Sequence, residues 1–178
     1  MSTRVYQKVD SAVFCRTREQ FGLLANFADM PLKWNGIRAS SSEAMYQALK
    51  FLDAHGQRPV LLAPTAYEAK ALAQKSDAPR FLPWEEHSVS AMRFVLRLKL
   101  FCYPELISET LALTGDRPIV EQSGHDSFWG AIPNPVHGTL IGTNALGRLW
   151  MEIRQQLRDG TLCPTTAPVL NAPLTLHR

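Results

Sequence analysis

Helix-start and helix-stop signals fill the middle of this sequence and constrain its fold more than any other feature. Two pairs, Ser40 with Glu43 and Thr65 with Glu68, match the capping-box pattern and are each followed by apolar residues at helical spacing. Of three further stretches, residues 85–103 and 144–160 are amphipathic, and residues 104–115 have proline in the first turn and glycine after the last. The spacing predicts helices over 40–56, 66–74, 85–103, 104–115 and 144–160.

Short β elements are predicted on either side of these helices. Residues 11–15 alternate in character, and residues 117–123 contain a short apolar run. The pair Asn35-Gly36 is the one that a type I′ hairpin turn prefers. Residues 124–142 are rich in glycine and proline and are predicted to form a loop, which at that length is more often functional than not.

The size of the chain indicates one globular domain with one core. It has 178 residues, of which 46% are hydrophobic and 20% charged. We expect an α+β, mainly helical single domain with a small β element over residues 1–160. A proline-containing tail over residues 161–178 is expected to be either draped over the domain or disordered.

Composition argues against several classes of protein. No apolar run approaches the roughly 20 residues that span a bilayer, and the N-terminus lacks a signal-peptide stretch, so we expect a cytoplasmic protein without a membrane partner. Three widely spaced cysteines predict neither a disulfide framework nor a metal site. The net charge of +3 is scattered, which suits an anionic small substrate and neither supports nor excludes nucleic acid.

Four polar side chains recur along one face of the helix predicted over 40–56. Residues three and four apart are neighbours on a helix, so Glu43, Tyr46, Gln47 and Lys50 are expected on the same side. The structural alternative is that Glu43 stands at the third helical position and completes the cap of Ser40. The functional alternative is that the face is the wall of a catalytic site.

A second concentration of polar and aromatic residues lies in the predicted loop. Trp129 beside Asp126 could form a floor for a flat polar ring, because base stacking on an aromatic side chain contributes about 1–3 kcal/mol. The alternative is that Trp129 fills the core and Asp126 caps a turn. Asn144 lies at a helix start, where free N–H groups can hold phosphate or where the residue simply caps the helix.

Several segments, in their order along the chain, resemble the NADAR superfamily of YbiA-like N-glycosidases. The resemblance lies in a helix with Glu and Lys seven residues apart, a later Glu followed by Asp-aromatic-Trp-Gly, and a Gly-x-Asn-x-Leu-Gly helix start. The segments are FGLLANFADMPLKWNGIRASSSEAMYQALKF, AMRFVLRLKLF, IVEQSGHDSFWG and GTNALGRLWMEIRQQL.

The resemblance implies an enzyme that cleaves an N-glycosidic bond without a cofactor or metal. Known substrate classes of the family are ribosylamino-pyrimidine phosphate intermediates of riboflavin synthesis and ADP-ribose attached to guanine. The residues implied for the pocket are Asn26, Glu43, Tyr46, Gln47, Lys50, Trp84, Asp126, Trp129 and Asn144.

The chemistry of that reaction suggests how these side chains divide the work. Positive charge develops on the ribose carbon and negative charge on the leaving nitrogen. We expect Glu43 on the sugar side, Asp126 orienting the base, and Trp84 and Trp129 stacking on the ring. Lys50 is expected either to bind phosphate or to form a Schiff base with an opened sugar.

The sequence is therefore compatible with three functions. The first is hydrolysis of a riboflavin-pathway ribosylamino-pyrimidine phosphate. The second is removal of ADP-ribose from guanine on nucleic acid, and the third is a non-catalytic module that binds NAD or ADP-ribose.

Overall fold

Six α-helices and seven short strands make up most of the regular structure of residues 1–177, the part of the chain that the computed structural model describes. No helix among these residues has both the length and the apolar character needed to cross a membrane. The α+β, mainly helical class predicted from the sequence is confirmed. The helices are α1 Ser42–Ala48, α2 Ala54–Leu61, α3 Ala66–Lys75, α4 Trp84–Cys102, α5 Pro104–Leu113 and α6 Ala145–Arg158. The strands are β1 Arg4–Gln7, β2 Ala12–Phe14, β3 Leu32–Trp34, β4 Ile37–Ala39, β5 Ile119–Glu121, β6 Ile132–Asn134 and β7 Thr139–Gly142.

The chain forms two compact units, each assembled from separate stretches of sequence. Unit 1 consists of residues 1–25 and 105–164. Unit 2 consists of residues 26–104 together with the tail from Thr165 onward.

Unit 1 contains two small sheets and the helix α6. One sheet has the antiparallel order β1-β7-β6, and the other pairs β2 with β5 in parallel. Leu140 and Val120, both fully buried, belong to one apolar cluster in this unit. Trp150 of α6 is also fully buried, and its ring Nε1–H donates to the Leu24 carbonyl at 2.8 Å.

Unit 2 contains α1 to α4 and the hairpin β3-β4. Asn35 and Gly36 have φ angles of 47° and 84°, so the predicted Asn-Gly hairpin turn is confirmed. The helix α1 packs against α2, α3 and α4. Its seven residues are all buried, so this short helix is stabilised by its neighbours more than by its own length.

The helix predicted over 40–56 is wrong in its extent and in its cap. The structure has two helices there, α1 and α2, because the Asp53 side chain accepts the Gly56 N–H at 3.0 Å and starts a new helix. The residue that caps α1 is Ser41, whose hydroxyl accepts the Ala44 N–H at 3.1 Å, and not Ser40. The other four predicted helices are confirmed, with small differences at their ends.

The predicted loop over 124–142 is wrong in its second half. Strands β6 and β7 form a hairpin there, and β7 also pairs with β1, with Leu140 opposite Tyr6. The partner strand lies more than a hundred positions away in sequence, and Pro133 within β6 hides the strand pattern. Residues 124–131 remain without regular strand or helix, apart from a bridge at Ala131.

The tail packs along unit 2. Trp34 donates its ring N–H to the Pro168 carbonyl at 3.1 Å. The Gln57 side chain donates to the Thr175 carbonyl at 2.9 Å and accepts the His177 N–H at 2.8 Å. These bonds fix the described end of the tail in place.

Candidate active site

The structure sorts the nine predicted site residues into two clusters, one in each unit. Unit 2 gathers six of them around α1, namely Asn26, Glu43, Tyr46, Gln47, Lys50 and Trp84. Unit 1 contains the other three, Asp126, Trp129 and Asn144.

Glu43 is a buried carboxylate held by a neighbouring amide. Only 6% of Glu43 and 4% of Gln47 are exposed, and Gln47 Nε2 donates to Glu43 Oε1 at 2.7 Å. The two residues are four apart in α1, which places their side chains together. Because Ser41 is the N-cap, Glu43 stands at the second helical position, so the predicted capping box with Ser40 is wrong. Gln47 thereby orients the carboxylate.

Asn26 meets the start of α1 through its backbone and faces α4 through its side chain. Its carbonyl accepts the Glu43 N–H at 3.0 Å, and its Nδ2 lies 3.2 Å from the Met92 sulfur. Its Oδ1 is buried and has no hydrogen-bond partner among residues 1–177, and the same holds for the Ser42 hydroxyl. Buried polar atoms in this state are rare, which fits a site that a ligand completes.

Lys50 lies just after α1, beside two aromatic rings. Its Nζ is 5.3 Å from the centre of the Tyr46 ring and 5.8 Å from that of Trp84. The two rings contact each other edge to face, with centroids 5.3 Å apart. Trp84 reaches this position because the Phe81 N–H donates to the Lys50 carbonyl at 2.7 Å, which ties the segment before α4 to the end of α1.

Burial lowers the pKa of Lys50 below its usual value, and the positive charges of Arg80 and Lys70 lower it further. The carboxylate of Glu43 acts in the opposite direction and favours the ammonium form. An amine with a lowered pKa is present as the neutral nucleophile at a larger fraction near neutral pH. Arg80 and Lys70 also place positive charge near Lys50, which suits an anionic group of a substrate.

Asp126 is exposed and orients its own loop. Its Oδ1 accepts the N–H groups of Phe128 at 2.9 Å and Trp129 at 2.8 Å. The predicted turn-capping role of Asp126 is therefore present in the structure. Phe128 and Trp129 contact each other edge to face with centroids 5.1 Å apart, and 41% of Phe128 is exposed.

The start of α6 is used for packing. The N–H groups of residues 143–146 donate to the carbonyls of residues 127–130, at 2.6 to 3.0 Å. The free N–H groups proposed for phosphate at this helix start are therefore already occupied, and that prediction is wrong. Asn144 is fully buried with φ of 52°, and its side chain bonds the Glu121 N–H and the Ile119 carbonyl. These contacts account for Asn144 structurally, and its contact with substrate stays a prediction.

The sequence did not predict that residues of α3 adjoin the unit 2 cluster around α1. Tyr67 and Lys70 are three residues apart, and Lys70 influences the pKa of Lys50. The sequence shows that the two residues share one face of a helix. It does not show that this face adjoins Lys50.

A buried carboxylate with its orienting amide, a lysine beside two aromatic rings and two buried polar atoms without partners among residues 1–177 occur together around α1. The sequence profile of the NADAR domain matches residues 13–158, and the chain belongs to this family.

The chain is similar to the N-glycosidase YbiA of Escherichia coli, with 33% identity over 81% of this chain and 86% of that protein. It is also similar to the riboflavin biosynthesis protein VVA0006 of Vibrio vulnificus, with 36% identity over 82% of this chain. The match spans only 38% of the length of the Vibrio protein. The solution structure of Escherichia coli YbiA superposes with a TM-score of 0.72 and 30% identity, over 85% of this chain and 88% of that one. The protein is an N-glycosidase of the NADAR family.

Proposed function

We propose that this enzyme hydrolyses the C1′–N bond of a ribosylated, phosphate-bearing base, with a riboflavin-pathway ribosylamino-pyrimidine phosphate as the substrate. In this reaction the C1′–N bond breaks, the oxygen of water bonds to C1′, and the base leaves carrying a proton. The observation that supports the proposal best is the buried Glu43 carboxylate, held at 2.7 Å by Gln47.

Glu43 acts on the sugar in this proposal. As C1′ loses its bond to nitrogen it becomes positive, and a carboxylate fixed beside it stabilises that charge or takes a proton from the attacking water. Gln47 prevents the carboxylate from rotating away, which preserves its orientation before the substrate arrives. Within unit 2, Trp84 is assigned to stacking on the ring. The roles of Asp126 and Trp129, which lie in unit 1, stay predictions.

Lys50 has two candidate roles, which differ in whether it forms a covalent bond to the sugar. As a phosphate ligand it stays noncovalent. As a nucleophile, its neutral amine attacks C1′ of the ring-opened sugar, the bond from C1′ to the base nitrogen breaks, and the base leaves with a proton; water then hydrolyses the imine and releases the sugar. Borohydride reduces such an imine to a stable amine, so mass spectrometry of the protein after reduction separates the two roles.

The reaction is tested by incubating the enzyme with ribosylamino-pyrimidine phosphate and separating the freed base by chromatography. Glu43→Gln should lower turnover by at least about 100-fold, in the range that loss of a positioned acid or base costs, while the melting temperature changes little. Glu109→Gln, which alters an exposed carboxylate on α5, is the matched control and should turn over normally. Absence of freed base with the unaltered enzyme would reject the proposed substrate class.

Removal of ADP-ribose from guanine on nucleic acid is the second candidate. The combined influence of Lys70 and Arg80 on Lys50 favours it, since this region then suits a substrate with more than one phosphate. A guanosine carrying ADP-ribose, supplied in the same assay, distinguishes the two by which substrate has the higher kcat/KM. The relatives' enzyme class argues against a purely binding module.

A further inference from the structure

A cavity of about 190 Å³ lies between the helix α4 and the C-terminal tail, entirely within unit 2. One wall is a face of α4, and the other is the tail segment 168–174. Among the described residues that line it, none belongs to the cluster around α1. The matched family profile ends at residue 158, so the tail wall lies outside the matched region. We refer to this space as the tail cavity.

The α4 wall of the tail cavity is basic. His87, Ser90, Arg93 and Arg97 line it, at spacings of three and four residues that place them on one helical face. Among residues 1–177, the lining includes no aspartate or glutamate. The two arginines are half-buried, and like charges four residues apart on a helix repel each other. An anion bound between them relieves that repulsion.

The tail wall is largely apolar and is held at both ends. Segment 168–174 contributes two proline-flanked aliphatic runs, and hydrogen bonds fix the backbone on either side of them. Trp34 donates its ring N–H to the Pro168 carbonyl at 3.1 Å, and the Gln57 amide donates to the Thr175 carbonyl at 2.9 Å. The cavity is therefore formed before any ligand arrives, which lowers the entropic cost of binding one.

The donors of the α4 wall suit a phosphate group better than a carboxylate. Each guanidinium presents five N–H donors in a planar fork, so it can hold an anion while also bonding another partner. A phosphate monoester carries about 1.5 to 2 negative charges near pH 7 and three acceptor oxygens, which match Arg93, Arg97 and the Ser90 hydroxyl. A carboxylate offers one charge and two oxygens. The apolar tail wall provides contacts for an organic group attached to the phosphate.

We propose that the tail cavity is a ligand site for a small organic phosphate. The phosphate lies between Arg93 and Arg97, the organic part packs against the tail, and the bound molecule holds the tail on α4. This inference goes beyond the proposed function and does not depend on it, because no residue of the cluster around α1 takes part.

Calorimetry with phenyl phosphate as the probe tests the site without requiring turnover. Phenyl phosphate should bind the unaltered protein more tightly than inorganic phosphate, which has no ring, and more tightly than benzoate, which has a single charge. Arg93→Gln and Arg97→Gln should each weaken its binding by about 10-fold or more and reduce its dependence on salt. Arg38→Gln, which alters an exposed arginine of β4, is the matched control and should bind as the unaltered protein does.

The tail wall is tested by a pair of substitutions at Val169, which is 76% exposed and lines the cavity. Val169→Asp adds a negative charge and should weaken binding of phenyl phosphate by about 10-fold or more relative to Val169→Asn, which has the same size without the charge. Hydrogen exchange of the backbone amides of residues 169–172 should slow when phenyl phosphate is bound, because the ligand holds the tail in place.

A phosphate held beside Lys50 is distinguished by Lys50→Met, which should leave binding at the tail cavity unchanged. Loss of binding in Lys50→Met, with both arginine variants binding normally, would place the probe at the candidate active site and overturn the proposal. An absence of phenyl phosphate binding, or equal affinity in Val169→Asp and Val169→Asn, would overturn it as well. Tighter binding of benzoate than of phenyl phosphate would reject the phosphate class. Unchanged melting temperatures of the variants would show that lost affinity is not lost folding.

Discussion

Lys99 should make the stability of this protein depend on pH in a direction that can be worked out from its burial. The residue lies in α4 and is completely buried, and this burial lowers its pKa from 10.5 to about 7. The substitution Lys99→Met keeps an unbranched chain of similar length and removes the charge.

The sign follows from comparing the protons bound by the two states. Between about pH 7 and 10.5 the unfolded chain holds a proton on Lys99 that the native state has lost, so the free energy of unfolding rises with pH. Each pH unit in that interval contributes about 1.4 kcal/mol, which gives roughly 5 kcal/mol as an upper bound across it. Below about pH 7 both states are protonated and the cost of burying the ammonium group is fully present.

Urea unfolding of the unaltered protein and Lys99→Met, from about pH 6 to about pH 10, measures this contribution. The Met variant should be the more stable by several kcal/mol near pH 6, and the difference should shrink toward zero near pH 10. Other titrating groups, such as Lys50 and Tyr103, are common to both proteins and cancel in the difference. A difference that does not vary with pH, or a Met variant that is less stable near pH 6, would show that burial of the Lys99 ammonium group does not destabilise the native state. Lys75→Met, at an exposed site, is the matched control and should show no such trend.

Three further substitutions test contacts in the two units. Gln47→Leu should lower kcat at least about 10-fold with little change in KM, because Glu43 loses the amide that orients it; normal kcat would show that Gln47 has no such role. Gly147→Ala should destabilise the protein by about 1–3 kcal/mol in urea unfolding, because its added carbon would overlap the Ile119 carbonyl; unchanged stability would contradict this packing. Trp150→Phe should lower the free energy of unfolding by about 1–3 kcal/mol in the same assay, because the hydrogen bond to the Leu24 carbonyl is lost; a decrease below about 0.5 kcal/mol would show that this bond contributes little.

Local signals in the sequence were sufficient where the deciding contact is also local. Thr65 caps α3 as predicted, because its hydroxyl accepts the Glu68 N–H three residues later. The Asn35-Gly36 turn is confirmed for the same reason, since both residues have the positive φ that the turn needs. Asp53 is also a typical N-cap residue, but the apolar pattern continues across 40–56 and predicts one uninterrupted helix.

The errors arose where distant residues decide the structure. The carbonyl of Lys50 accepts the Phe81 N–H, which ties the segment before Trp84 to the end of α1. Nothing in the local pattern indicates that partner. Asn144 resembles a phosphate-binding residue in sequence, yet its amide is bonded to β5, which lies more than twenty positions earlier in the chain.

The structure of unit 1 explains why the motif around Asp126 and the motif at the start of α6 occur together. The carbonyls of residues 127–130 accept the N–H groups of residues 143–146, so the loop behind Asp126 and the helix start form one hydrogen-bonded assembly. Asn144 and Gly147 stabilise that assembly against β5, one by its amide and the other by having no side chain. We therefore expect a substitution at either position to displace the loop that holds Asp126, although neither residue needs to contact the substrate. The two motifs are thus one structural device, in which the helix start fixes the position of the acid.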